Sequence, residues 1–178
     1  PKEFEELEAK QMKDIMETGF FGPNEKEYIR KDGSRFSVSI SGVLVEDAEG
    51  KNTNWGFIED ITERKKLQEE LKIQATTDEL TKAFNRRYFI EIAKKEINRS
   101  IRNFHAVCVA IMDMDNLKFY NDNFGHSLGD EALITFANQC LKNIREFDIF
   151  ARYGGDEFVI LFPDTSIAEA VVVLDRIH

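Results

Sequence analysis

Asp113 ends the apolar run Val107 to Met112, and Asp115 follows two positions later. A carboxylate at the carboxyl end of a buried strand is fixed by the sheet while its oxygens face outward, which suits a ligand site. The same residues also serve as ordinary strand-end turn formers. An EF-hand calcium loop beginning at Asp113 needs a ligand where Leu117 stands and glycine where Lys118 stands, so that chemistry is excluded. A second acidic pair, Asp156 and Glu157, follows Gly154-Gly155 between two short apolar runs. The glycines supply the positive φ of a tight turn and leave room for a bulky anion, although a plain hairpin with an acidic tip has the same composition. Two acidic strand ends in one sheet shift the balance toward chemistry. Oxygen-only ligands suit magnesium, and one carboxylate from each of two places is the minimum for a metal-assisted phosphoryl or nucleotidyl transfer.

Between the two acidic sites runs Lys118 to Asp130, in which Asn121 and Asp130 bracket Gly125 and Gly129. An amide and a carboxylate can together read the edge of guanine, and glycines permit close backbone approach to a planar ligand. Asn, Asp and Gly are also loop punctuation, so the pattern alone leaves both readings open. No GxxxxGK[ST] is present, which excludes a P-loop as the phosphate binder.

The elements that must position these groups are legible from periodicity. The chain has 178 residues, 42 % hydrophobic and 32 % charged, with 15 Phe and 3 Pro, a globular balance. Its net charge of −9 argues against nucleic acid or anionic membrane as a partner held by field alone. The longest apolar stretch, Ala106 to Met112, is seven residues, and no signal peptide opens the chain, so a soluble cytoplasmic segment without membrane contact is expected. Cys108 and Cys140 lie in apolar runs without ligand spacing and read as core fillers.

Phe4, Leu7, Met12, Ile15 and Met16 share one side of a helix that Gly19 stops. A strand leads to Asp32-Gly33, a two-residue hairpin signal, then Phe36, Val38 and Ile40 alternate with serines. A turn around Asp47 to Lys51 precedes a strand from Trp55 to Ile61. From Asp60 to Glu79 there is neither Gly nor Pro, and Asp60/Arg64, Lys65/Glu69 and Lys66/Glu70 form i,i+4 pairs, the pattern of a solvated connector helix. Leu67 and Leu71 fit either a dimer seam or a plain linker. Beyond it come a helix with Ile90, Ala93, Ile97 and Ile101, a buried strand Val107 to Met112, a helix with Leu133, Ala137 and Cys140, strands Ile149 to Tyr153 and Phe158 to Phe162, and a helix opened by the capping box Ser166/Glu169. The order α-β-α-β-β-α makes an α+β sandwich on a mixed sheet.

Residues Thr76 to His178 resemble the GGDEF family of diguanylate cyclases. The likeness rests on Asp78-Glu79-Leu80-Thr81 with Asn85-Arg86-Arg87, Asp113 to Lys118, Asn121-Asp122, Gly125-His126, Gly129-Asp130, and Arg152-Tyr153 before the signature Gly154 to Phe158. It implies condensation of two GTP into cyclic di-GMP, with two magnesium ions (manganese as the alternative) on the Asp113 carboxylate, the Met114 carbonyl and the Asp156 carboxylate. Asp156, with Glu157 beside it, becomes the acceptor of the 3′-hydroxyl proton. Asn121 and Asp130 then read guanine, and His126 and Lys118 line the nucleotide site. Arg145-Glu146-Phe147-Asp148 fits the family's RxxD inhibitory product site. Leu117 departs from the family's usual Phe, an apolar swap that should be tolerated. The family's domain continues through more sheet and helix, including basic residues for the triphosphate, so the functional expectation attaches to a longer protein.

Glu27 to Leu71 resembles the carboxyl-terminal half of a PAS sensor domain, on Arg30 to Ser34 in the hairpin and the exit motif Asp60 to Lys65. The organisation expected is a partial PAS unit at 1–62, a helical linker at 63–76 and a GGDEF domain at 77–178, as in many bacterial signalling proteins. Trp55 reads equally as core or cofactor contact, and no sensed ligand is assigned. The resemblance further implies a homodimer in which each domain supplies half of the reaction, with the parent protein free to carry a membrane anchor upstream. Two rival readings remain: a GGDEF-like module that binds nucleotide or cyclic di-GMP without turnover, and a dimerising relay in which nucleotide is incidental. Metal-dependent loss of GTP separates the first reading from both.

Overall fold

The computed structural model describes residues 4–46 and 48–177, so Asp47, at the head of the expected second turn, and His178 lie outside the described residues. The chain divides into two compact units, Pro1–Leu71 and Lys72–His178.

In the first unit, helix α1 (Glu5–Thr18) precedes strands β1 (Phe20–Ile29), β2 (Arg35–Glu46) and β3 (Asn52–Asp60), which form an antiparallel sheet in chain order. Gly19 closes α1 in the left-handed conformation at φ 76°, donating to the Ile15 carbonyl. Ile15, Val38 and Ile40 form the buried side. The Asp32-Gly33 hairpin is wider than two residues. Ile29 and Arg35 are the last pair, and Asp32 Oδ1 accepts from both the amide and hydroxyl of Ser34, an Asx turn that spreads the loop over five residues. Trp55 is not core: β3 is an edge strand and the residue is 60 % exposed.

Helix α2 (Thr62–Thr76) has no buried residue. Of its expected ion pairs Lys66 and Glu70 meet at 3.9 Å, whereas Arg64 and Lys65 reach Glu25 on β1 at 3.3 and 2.8 Å and Asp60 pairs with Arg30. A carboxylate on the neighbouring strand lies closer to these cations than one a helical turn away.

The second unit runs β4 (Phe84–Asn85), α3 (Arg86–Asn103), β5 (Val107–Asp113), α4 (Leu117–Phe124), α5 (His126–Asn143), β6 (Ile149–Gly154), β7 (Glu157–Pro163) and α6 (Ile167–Ile177). The sheet order is β4-β6-β7-β5, with β4 and β6 parallel and the rest antiparallel. Helices cover both faces, so every residue of β7 from Phe158 to Pro163 is buried. On one face Phe158 and Phe162 pack with Leu133, Ala137 and Cys140 of α5 and Val173 of α6; on the other Val159 and Leu161 meet Phe89 of α3. Phe158 stacks on Phe150 with centroids 5.4 Å apart and meets Phe136 edge-on at 5.0 Å. Burying one such ring contributes about 2–3 kcal/mol. Cys140 is fully buried, and desolvation pushes its thiol up to about 12, in keeping with a core filler.

β5 is less buried than its apolar run suggests. Cys108, Ala110 and Met112 pack into the core, but Val109 and Ile111 are 52 % and 77 % exposed because β5 is the sheet edge and α3 does not reach across it. The segment after Asp115 is helical rather than loop: α4 and α5 meet at Gly125, whose φ of 85° breaks the helix between them. Ser166 and Glu169 form the expected capping box, with Oε2 of Glu169 accepting from the amide and hydroxyl of Ser166 at 2.8 and 2.6 Å.

Candidate active site at the carboxyl end of strand β5

The antiparallel register sets Asp113, the last residue of β5, opposite Glu157, the first of β7. One residue further on, the Met114 amide donates to the Asp156 carbonyl at 3.2 Å. The two acidic strand ends are therefore one site, built where β5 stops and the β6–β7 hairpin turns. Gly155 has φ 53° within that turn. Asp113 and Glu157 are exposed and Asp156 is half-buried. Carboxylates and main-chain carbonyls are all the donors the site contains, a set that suits a hard divalent cation whose remaining positions are filled by water and phosphate. No group of three His, Cys, Asp or Glu able to hold a metal is present among the described residues.

A cation braces the hairpin from behind. Arg152 on β6 donates to the Gly155 carbonyl from Nε and Nη2 at 2.9 and 2.7 Å, and from Nη1 to Asp78 Oδ1 at 3.3 Å. The same Asp78 oxygen accepts from the amide and hydroxyl of Thr81 at 2.8 and 2.7 Å. Burial alone raises the Asp78 carboxyl, but the Thr81 hydrogen bonds and the Arg152 charge outweigh it and hold the group below the usual carboxylate range. Residue types predict no such link, because 74 positions separate its ends; the only signal is that both lie in the motifs that carry the resemblance.

The candidate base-reading residues sit on the helical pair that follows Asp115. Asn116 precedes α4 at φ 58°, and Leu117, the departure from the family pattern, is buried at 8 %. Lys118, His126 and Asp130 are exposed, and Asn121 is half-buried. Gly125 leaves open space beside its backbone, as expected, but Gly129 does not: the side chain of Asn121 fills the place of its missing Cβ. The room at Gly129 is used by the protein itself rather than left for a ligand.

Arg145 and Asp148 lie just before the other end of β6, whose residues Ile149 to Gly154 span about 17 Å at the rise of an extended strand. They do not form a surface pair. Asp148 is 6 % exposed, its Oδ2 accepts from the Arg145 amide at 2.8 Å, and its Oδ1 is sealed without a partner. Burial pushes its carboxyl above the usual range against the opposing pull of the Arg145 amide and charge. The Arg145 side chain remains exposed, in a groove of about 370 Å³ that it shares with Arg99, Phe147 and Pro163. Arg99 comes from α3, and nothing in the sequence pattern singles it out as a neighbour of Arg145.

The chain is similar to several known proteins. The response regulator PleD of Caulobacter vibrioides is 40 % identical over 115 residues, 65 % of this chain and 25 % of PleD. The probable diguanylate cyclase DgcC of Escherichia coli is 29 % identical over 124 residues, 70 % of this chain and 33 % of DgcC. The chain thus spans a quarter to a third of the length of these relatives. Among solved structures, the coiled coil and GGDEF domain of DgcB from Caulobacter crescentus in complex with c-di-GMP superposes with TM-score 0.63 at 27 % identity, over 66 % of this chain and 61 % of that one. Diguanylate cyclase SiaD from Pseudomonas aeruginosa, solved with its activator SiaC, gives TM-score 0.58 at 36 % identity, over 65 % of this chain and 44 % of SiaD. The PAS domain pattern matches residues 3–63. With the GGDEF domain pattern of diguanylate cyclases matching residues 75–178, all of the acidic turn and the helical pair beside it included, the chain belongs to the GGDEF diguanylate cyclase family.

Proposed function

We propose that this chain is the sensor and cyclase portion of a protein that condenses two GTP into cyclic di-GMP and pyrophosphate, with a PAS unit at 1–62, a connector at 63–76 and the catalytic domain at 77–178. The observation that carries the reading is the meeting of Asp113, Met114, Asp156 and Glu157 at one sheet end. Asp113, the Met114 carbonyl and Asp156 would hold Mg²⁺, which when bound neutralises phosphate charge and helps pyrophosphate leave. Asp156, with Glu157 beside it, accepts the proton of the attacking 3′-hydroxyl. Asn121 and Asp130 orient the guanine, and Lys118 and His126 line the nucleotide beside them. Each domain binds one GTP, and a two-fold dimer sets each 3′-hydroxyl against the other α-phosphate.

The connector α2 supplies a means of control. It has no buried residue, and its Leu67 and Leu71 are 51 % and 64 % exposed, a free apolar edge on which two copies can pair. Turning that pair alters how the two domains face one another and so the population of the productive dimer. Product acts at Arg145, with buried Asp148 shaping the loop that presents it. The reading places the domain in the cytoplasm; among the described residues no helix is long and apolar enough to cross a membrane.

The test uses the whole protein with GTP and Mg²⁺, following pyrophosphate and cyclic di-GMP, beside Asp156→Ala. Product from the wild type and none from the variant supports the cyclase. Nucleotide binding without product from the wild type replaces it with a binding module.

A further inference from the structure

Asn121 on α4 and Gly129 on α5 share one volume. A Cβ built on Gly129 overlaps Asn121 Oδ1 and stands 2.9 Å from Cγ and 3.3 Å from Nδ2. Gly129 lies inside a helix and is absent from the positive-φ glycines, so its backbone makes no demand for glycine; only the Asn121 amide does. The amide is held unevenly. Its Oδ1 is sealed without a donor, whereas Nδ2 is not sealed, so the donor end is the one that an incoming molecule can meet. A side-chain amide free to turn about its last torsion offers either end. Gly129 is what leaves the room in which this one lies on α5, with its Oδ1 inward.

We infer that Gly129 sets the base selectivity of the nucleotide site by fixing the Asn121 amide as a donor beside the acceptor carboxylate of Asp130. The inference rests on the proposed reading of Asn121 and Asp130 as the guanine readers. Donor beside acceptor is the complement of guanine, whose O6 accepts while N1–H and the 2-amine donate. Adenine carries an amine where guanine carries O6, so its N–H faces the Nδ2 donor and both stay unpaired, which is the strong form of rejection. With a methyl group at 129 the amide is pushed off α5, regains its rotation and can turn Oδ1 toward that amine. Gly129 acts through Asn121 and is a positioning residue.

The experiment is calorimetric binding of GTP and of ATP, each as the unreactive analogue with a methylene bridge between the α- and β-phosphates and with Mg²⁺, to the whole protein as wild type, Asn121→Ala, Gly129→Ala and the double variant. GTP affinity is expected to fall about tenfold in Asn121→Ala, equivalent to one hydrogen bond to the base. Gly129→Ala should match that fall and narrow the GTP/ATP preference, and the double variant should be no worse than either single one. Melting temperature supplies a second readout: the double variant should be more stable than Gly129→Ala, because removing the amide makes room for the methyl. If Gly129→Ala does not fold, rescue of folding in the double variant supports the contact, and failure of both overturns it. Wild-type GTP preference in Gly129→Ala beside a loss in Asn121→Ala overturns the inference and spares the guanine reading, as do losses that simply add. Unchanged GTP binding in Asn121→Ala removes the guanine reading and the inference with it.

Discussion

Arg152 joins Asp78 to the acidic turn: its Nη1 reaches Asp78 Oδ1 at 3.3 Å while Nε and Nη2 both hold the Gly155 carbonyl. The guanidinium is 17 % exposed and the carboxylate 25 %, so the pair is screened less than a surface bridge. Asp78 lies between α2 and β4, and Gly155 precedes Asp156. One side chain therefore ties the entrance of the GGDEF domain to the position of its acidic residues.

Replacing Arg152 tests that tie. Arg152→Ala should lower stability by about 2 kcal/mol, from the loss of charge-assisted hydrogen bonds with the Asp78 carboxylate left partly buried, and cut turnover about tenfold or more by loosening the turn. Arg152→Lys should rescue neither, since a single ammonium cannot serve two carbonyl bonds and the Asp78 oxygen at once. The Asp78 carboxyl lies below the usual range in the fold, so its contribution is complete above the ordinary carboxylate value and is lost as pH falls through the lowered one. The melting temperature of Arg152→Ala should accordingly fall less steeply than the wild type on acidification. Parallel melting curves, or full activity in Arg152→Lys, would contradict this account.

Asp148 makes the opposite case. Burial raises its carboxyl in the fold, so it carries no penalty at a pH below the ordinary carboxylate value, where both states are protonated. The penalty grows as pH rises through the raised value and is complete above it. Asp148→Asn keeps an oxygen for the Arg145 amide and removes the buried charge. It should melt at or above the wild-type temperature at pH 7, with the two curves converging in acid. Asp148→Ala also loses the acceptor of the Arg145 amide and should be destabilised by about 1 kcal/mol. Thermal melts at pH 4 and pH 7 decide it: a drop for Asp148→Asn at pH 7 would mean that the charge itself holds the loop.

Much of this arrangement is legible in residue order, and the exceptions share a cause. The hairpin at Gly154-Gly155 and the alternation in Phe36 to Ser41 report local backbone needs, and both elements form where expected. The capping box at Ser166 is likewise local. Exposure of Ile111 is not legible, since an apolar run shows that a strand can be buried on both faces but not whether a neighbour covers each. The helix α4 carries its aromatics outward, with Phe119 and Phe124 59 % and 61 % exposed, so no buried stripe announces it. Asp148 turning inward, Arg99 beside Arg145 and Asn121 filling the space at Gly129 all depend on tertiary neighbours. Spacing places residues on elements; it does not say which side chain takes which space.

The first unit has a buried charge of its own. Lys26 on β1 is 7 % exposed, and its Nζ donates to Glu8 of α1 at 2.7 Å, with the Tyr28 ring 5.2 Å away. The carboxylate partner is half in solvent, and this contact lowers the Glu8 carboxyl. Taking an ammonium out of water costs more than one exposed partner returns, so the pair as a whole contributes little, whereas removing only its anion strands the cation. Glu8→Ala should therefore lower the melting temperature clearly, and Lys26→Met, which keeps the stem's length and removes the charge, should leave it equal or higher. The double variant should resemble Lys26→Met, because no ammonium is left to strand. Thermal melts of these variants at pH 7 carry the test. If Glu8→Ala is silent while Lys26→Met is destabilised, Lys26 holds the helix through its charge by some route other than Glu8.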